Sequence, residues 1–135
     1  MKTRKTMYND NYESCAETYV TLRIYTEKMN SEKLTKFLEC EPTESQNADS
    51  EIKFNSWFLS TENKVKSKDC RRHFDFILDK ILPLKDKIKA LIKDDAKIDL
   101  CCFWLSETGN GGPTLSERQF KKLAEIGIDA WFDVY

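Results

Sequence analysis

The chain carries one histidine, His73, and five cysteines, Cys15, Cys40, Cys70, Cys101 and Cys102. A thiol nucleophile needs a base beside it, and Cys70 lies three residues before His73, a neighbouring position on a helix face. No local pattern of a cysteine enzyme surrounds the two. His73 falls at the edge of an apolar stripe, where a histidine serves packing. The cysteine spacings of 25, 30, 31 and 1 lack the close pair that a tetrahedral zinc site uses. Cys101 and Cys102, adjacent on a strand, point to opposite faces. Neither a metal site nor a cofactor is expected. Carboxylates pair at Asp94–Asp95, in a turn, and at Asp129–Asp133, about 13 Å apart along a strand and too far for joint acid–base work. The loop from Gly109 to Thr114 precedes a helix start, where backbone N–H groups can hold an anion, and Gly111, Gly112 and Thr114 are its candidate residues. It lacks the lysine and hydroxyl residue of a phosphate-binding P-loop, so a turn between layers is the simpler account.

The elements that position these residues follow from periodicity. Residues 1–16 are polar and aperiodic and read as a flexible tail before a single domain over 17–135. In the strand Glu17–Thr26, Val20, Leu22 and Ile24 alternate with Tyr19, Thr21, Arg23 and Tyr25. Asn30 caps a short helix over Met29–Glu39, with Met29 and Leu34 as its hydrophobic staple, and Pro42 ends that region. Thr43–Ser50 reads as a loop. The second strand, Ile52–Thr61, has ambiguous faces, with Phe54 and Phe58 on one and Trp57 and Leu59 on the other. Phe74, Ile77, Leu78 and Ile81 mark the longest helix, Ser67–Leu82, capped by Ser67 or Asp69 and broken at Pro83. Leu84, Ile88, Leu91 and Ile92 continue as a second helical segment whose lysines form a solvated face. A third strand, Lys97–Leu105, sets Ile98, Leu100, Cys102 and Trp104 against Asp99, Cys101 and Phe103. Ser116 and Gln119 have capping-box spacing, and Gly127 stops that helix. In the last strand, Ile128–Tyr135, Ala130, Phe132 and Val134 face the helices, so a charge at Val134 is expected to unfold the domain. Asp129, Trp131, Asp133 and Tyr135 face away.

The order predicts an α+β two-layer sandwich: a mixed sheet of four to five strands with helices packed mainly on one face. The 135 residues suit one domain, and 40% hydrophobic with 12% aromatic residues excludes wholesale disorder. With 23 acids against 22 Lys and Arg there is no basic excess, which argues against a nucleic-acid partner. The longest apolar run, Leu100–Leu105, has six residues against the roughly twenty of a membrane span, so no membrane partner is expected. The N-terminal MKTRKTMYNDNYES has no apolar stretch, and the odd cysteine count fits reduced thiols; a cytoplasmic protein is expected.

The stretch TYVTLRI (18–24), EPT (41–43), Trp57 in SWFLST, His73, and the run CFWLSETGNGGPTLSERQFKKLAEIGIDAWFDVY that closes the chain resemble a bacterial family, the domain of unknown function 4279, over about 17–135. The resemblance implies a small, free-standing bacterial α+β domain and brings no catalytic residues. By analogy, such small domains act as immunity or accessory proteins that neutralise a toxin by binding it.

The functional expectation therefore rests on the uncovered sheet face. Its candidate partner-binding residues are Tyr19, Arg23, Tyr25, Phe103, Trp131, Asp133 and Tyr135, with Asp99 beside them, and Arg23 is expected to pair with Asp133. The expected function is non-enzymatic protein binding of the immunity or accessory type, the partner being a toxin-like protein or a second copy. The alternatives are a small-molecule or anion-binding domain, or an enzyme, using the 109–114 loop and the Arg23/Asp133 region, and a structural homodimer joined by its sheet faces. The tail or the 43–50 loop is a further candidate to cover the face.

Overall fold

The computed structural model describes residues 7–135. The strands are β1 (Cys15–Thr26), β2 (Glu44–Gln46), β3 (Asn55–Ser60), β4 (Lys97–Ser106) and β5 (Asp129–Val134). They form one mixed sheet in the order β2-β3-β1-β4-β5. β1 runs antiparallel to both its neighbours, β2 is antiparallel to β3, and β5 is parallel to β4. The parallel pair needs a crossover, which α4 (Glu117–Ile126) supplies. The remaining helices are α1 (Ser31–Leu38), α2 (Cys70–Ile81) and α3 (Lys85–Lys93), with a 3-10 turn over Leu82–Leu84 where Pro83 interrupts the helical hydrogen bonding. The expected α+β class and one-sided helix packing hold, with five strands.

The core follows the two periodicities. Val20, Leu22 and Ile24 of β1, Leu100, Cys102 and Trp104 of β4, and Trp57 and Leu59 of β3 are buried against Leu34, Phe74, Ile77, Leu78, Ile88 and Ile126 from the helices. Local chemistry sets the helix ends. Asn30 accepts the Lys33 N–H, Asp69 accepts the Arg71 N–H, and Gly127 closes α4 in the left-handed conformation. The ambiguity in β3 resolves by register: Trp57 and Leu59 enter the core while Phe58, opposite Arg23, lies on the open face.

Three expectations change. Glu44–Gln46, inside the predicted loop, pairs with β3 as a short edge strand; its three exposed polar residues carry no apolar alternation to announce it. Val134 is not a core residue. Register places Ala130, Phe132 and Val134 beside Leu100, Cys102 and Trp104 on the helix side as expected, but β5 is the outermost strand. Phe132 stays 37% and Val134 51% exposed.

The third change concerns the tail. Residues 1–6 lie outside the described residues, but from Met7 onward the predicted free tail is packed on the helix side. The Tyr8 hydroxyl donates to Asp75, Asp10 pairs with Arg72 at 2.8 Å, and the Asn9 N–H donates to Asp69. The Lys68 N–H donates to the Asp10 carbonyl, and the Tyr12 ring lies 6.4 Å from that of Trp104. Removal of residues 1–14 should therefore lower stability by about 3 kcal/mol, from several lost hydrogen bonds and one aromatic contact. Urea unfolding of the shortened chain checks this; an unchanged midpoint would show that the segment is passive.

Candidate functional site

The face of the sheet away from the helices is built by alternation along β1. Tyr19, Thr21, Arg23 and Tyr25 point to it. Register then brings Phe103, Cys101 and Asp99 of β4 opposite Tyr19, Thr21 and Arg23, and Phe58 of β3 to the other flank of Arg23. β5 extends the rows with Trp131 beside Cys101 and Asp133 beside Phe103.

Aromatic contacts run along this surface. Tyr19 stacks on Phe103 at 4.9 Å between ring centroids, Tyr135 lies 5.6 Å from Phe103, and Tyr25 meets Phe58 edge-on at 5.6 Å. Arg23 lies between them. Its Nε and Nη2 donate to the two carboxylate oxygens of Asp99, each at 2.8 Å, and its guanidinium sits 4.8 Å from the Trp131 ring centre. The expected Arg23–Asp133 pair does not form. Asp99 is directly opposite Arg23, whereas Asp133 aligns with Phe103, in another row. Hydrogen bonding to Asp99 raises the Arg23 pKa further, so this cation is engaged by its own neighbour.

All seven predicted partner-binding residues share this face. Among the described residues no element crosses it: the N-terminal segment packs on the helix side, and β2 flanks the sheet edge. A shallow groove of about 290 Å³ opens between Tyr19, Phe58 and Phe103, with Glu44, Glu62 and Asp133 around it. Phe58, Glu44 and Glu62 were not anticipated. The alternation of β3 could have identified Phe58, since it sits between inward Trp57 and Leu59; nothing local marks the two glutamates.

The other chemical candidates have packing partners. His73 is 1% exposed. Thr61 accepts the Val20 N–H and donates its hydroxyl to His73 Nδ1 at 2.6 Å, while His73 Nε2–H donates to the Ser67 carbonyl at 2.8 Å. Cys70 donates its thiol to the Thr114 carbonyl, not to His73. Burial pushes the Cys15 thiol up to about 11, away from thiolate chemistry. Cys101 faces the open side and Cys102 the core, as alternation requires, and all five cysteines are free thiols. Among the described residues no group of three or more His, Cys, Asp or Glu side chains is placed to hold a metal ion.

In the 109–114 loop, Gly111 has φ +82° and approaches Ser14 so closely that a Cβ would lie 2.7 Å from that side chain. Gly111 therefore has a packing reason. Gly112 makes no such approach, and the Thr114 carbonyl is taken by Cys70. The first turn of α4 is served internally, with Gln119 accepting the Ser116 N–H at 2.7 Å and Arg71 donating to the Ser116 hydroxyl.

Burial lowers the His73 pKa below its ordinary value and holds the ring neutral. Below about pH 6.5 the unfolded chain binds a proton that the folded chain resists, so this contribution to stability is present above that pH and is lost as the pH falls. His73→Ala should cost about 1–3 kcal/mol at neutral pH and flatten the decline toward pH 5. Thermal unfolding at several pH values tests both; an undiminished decline in the variant would assign it to other groups.

A family model described as a domain of unknown function (DUF4279) matches residues 16–135. The chain belongs to this family. The match spans the sheet except Cys15, the first residue of β1, and every residue of the open face, while the packed segment Met7–Ser14 lies outside it. No curated protein and no solved structure matches the chain. In this DUF4279 domain no helix among the described residues is long and apolar enough to cross a membrane.

Proposed function

We propose that this DUF4279 domain is a non-enzymatic bacterial binding module of the immunity or accessory type, cytoplasmic, which docks a protein on the open face of its sheet. One observation carries the reading: the face presents Trp131 at 39% exposure against an arginine already ordered by a two-pronged carboxylate bond, and Tyr135 at 65% exposure beside Phe103. Tyr, Trp and Arg dominate binding hot spots, and a pre-ordered arginine loses little side-chain freedom on association. The internal partners of His73, Cys70 and Gly111 favour binding over chemistry at those positions.

The test is photo-crosslinking in the producing cell, with a benzophenone amino acid replacing Trp131 or Tyr135, and Phe120 on α4 as the control position. Discrete protein adducts are expected from the two sheet positions and none from Phe120. Absence of adducts at the sheet positions, or equal adducts from Phe120, would overturn the reading. For a partner so identified, Trp131→Ala should weaken binding by about 2 kcal/mol, roughly thirtyfold, with little change in stability.

A further inference from the structure

The docking face has a charge that specifies its partner. We infer that the group it receives is cationic, an arginine or lysine side chain on a basic protein surface, seated in the groove lined by β3, β1 and β4, with β2 and β5 at its two ends. This rests on the open face being the docking surface.

Three carboxylates reach the groove from separate elements: Glu44 on β2, Glu62 just after β3, and Asp133 on β5. None of them forms an ion pair among the described residues. The cation that lines the groove, Arg23, is engaged by Asp99 and offers them no compensation. The floor is aromatic, from Tyr19, Phe58 and Phe103. A cation entering this apolar-lined groove gains charge-assisted hydrogen bonds from the nearest carboxylate and attraction from the others. The Tyr19 phenol registers the same field: burial and then the charges of Glu62 and Glu17 raise its pKa. The acidity is local, since the whole chain carries a net charge of −1.

The same arrangement opposes two other occupants. An acidic partner would set like charges against the three carboxylates. A second copy docked face to face would do so twice, without a free cation in the groove to offset it. A basic partner meets complementary charge, and the exposed carboxylates speed its encounter in a salt-dependent way.

The experiment titrates a hexa-arginine peptide, and separately a hexa-glutamate peptide, into the ¹⁵N-labelled full chain. Hexa-arginine is expected to shift the amide signals of Thr21, Phe58 and Phe103 saturably, and to weaken as salt rises. The variant carrying Glu44→Gln, Glu62→Gln and Asp133→Asn should bind it about tenfold more weakly, with its spectrum otherwise intact. Hexa-glutamate should leave these signals unmoved. Equal binding by the variant, shifts confined to other acidic surfaces, or response to hexa-glutamate would each overturn the assignment. If hexa-arginine fails while Trp131 still crosslinks a protein, the cationic class falls and the docking face stands; if neither occurs, both fall.

Discussion

Asp75→Ala lowers the stability of the fold by about 3 kcal/mol. Asp75 lies on α2 at 4% exposure. Its carboxylate accepts from the Tyr8 hydroxyl, Arg118 Nη2, Gln119 Nε2 at 3.0 Å and Lys122 Nζ at 3.1 Å. One anion thus joins α2, α4 and the N-terminal segment, and the Tyr8 ring lies between Arg72 and Arg118 at 4.3 and 5.7 Å. Removing it leaves the buried Gln119 amide without an acceptor and Arg118 without its counter-charge, while Lys122 keeps Asp79 at 2.6 Å. The Arg118 side chain is 38% exposed, and solvent screening there keeps the figure at the lower end of the range for buried pairs. Burial alone would raise the Asp75 pKa, but the bonds from Arg118, Tyr8, Gln119 and Lys122 outweigh it and hold the carboxyl below the usual range. The resulting stability is present above about pH 4 and is lost as the pH falls through the folded-state value. Urea unfolding from acid to neutral pH measures it. Asp75→Asn should reduce the acid slope, leaving the part carried by Asp10, Asp49 and Asp69, whose carboxyls are also held below the usual range; an unchanged slope would place it wholly on those groups.

Leu100→Asp unfolds the domain, whereas Val134→Asp costs about 1 kcal/mol or less. Both positions lie on the helix side of the sheet, Leu100 beside Ala130 and Trp104 beside Val134 in the β4–β5 register. Leu100 is fully buried, so an aspartate there places an unpaired charge among Leu22, Ile24 and the helices, at a cost of several kcal/mol. Val134, half exposed on the edge strand, leaves an aspartate in water and loses only strand preference and partial packing. Circular dichroism and thermal unfolding separate the two. Unfolding by both would mean that β5 is covered in solution, by a second copy or a partner.

The contrast between Leu100 and Val134 shows where sequence stops deciding. Period-two alternation settles which face each residue of β1, β4 and β5 occupies, because the pleat is a local property of the backbone. The stripe of α2, the Asn30 and Asp69 caps and the Gly127 stop are equally local, so the helices were legible and the seven open-face residues could be grouped without a structure. Alternation carries no information about neighbours. The partner of Arg23 depends on the register of β1 against β4, which sets Asp99 opposite it. Burial of Val134 depends on strand order, which makes β5 an edge beyond full helix cover. Docking of Tyr8 depends on an acceptor 67 residues away, and β2 pairs through backbone groups that every sequence has. Glu44, Glu62 and Asp133 belong to three segments with no shared pattern, and only the sheet order gathers them on one groove. The sequence determined the sides of the sheet by local sterics; the tertiary structure decided the neighbours, because long-range contacts choose register and order.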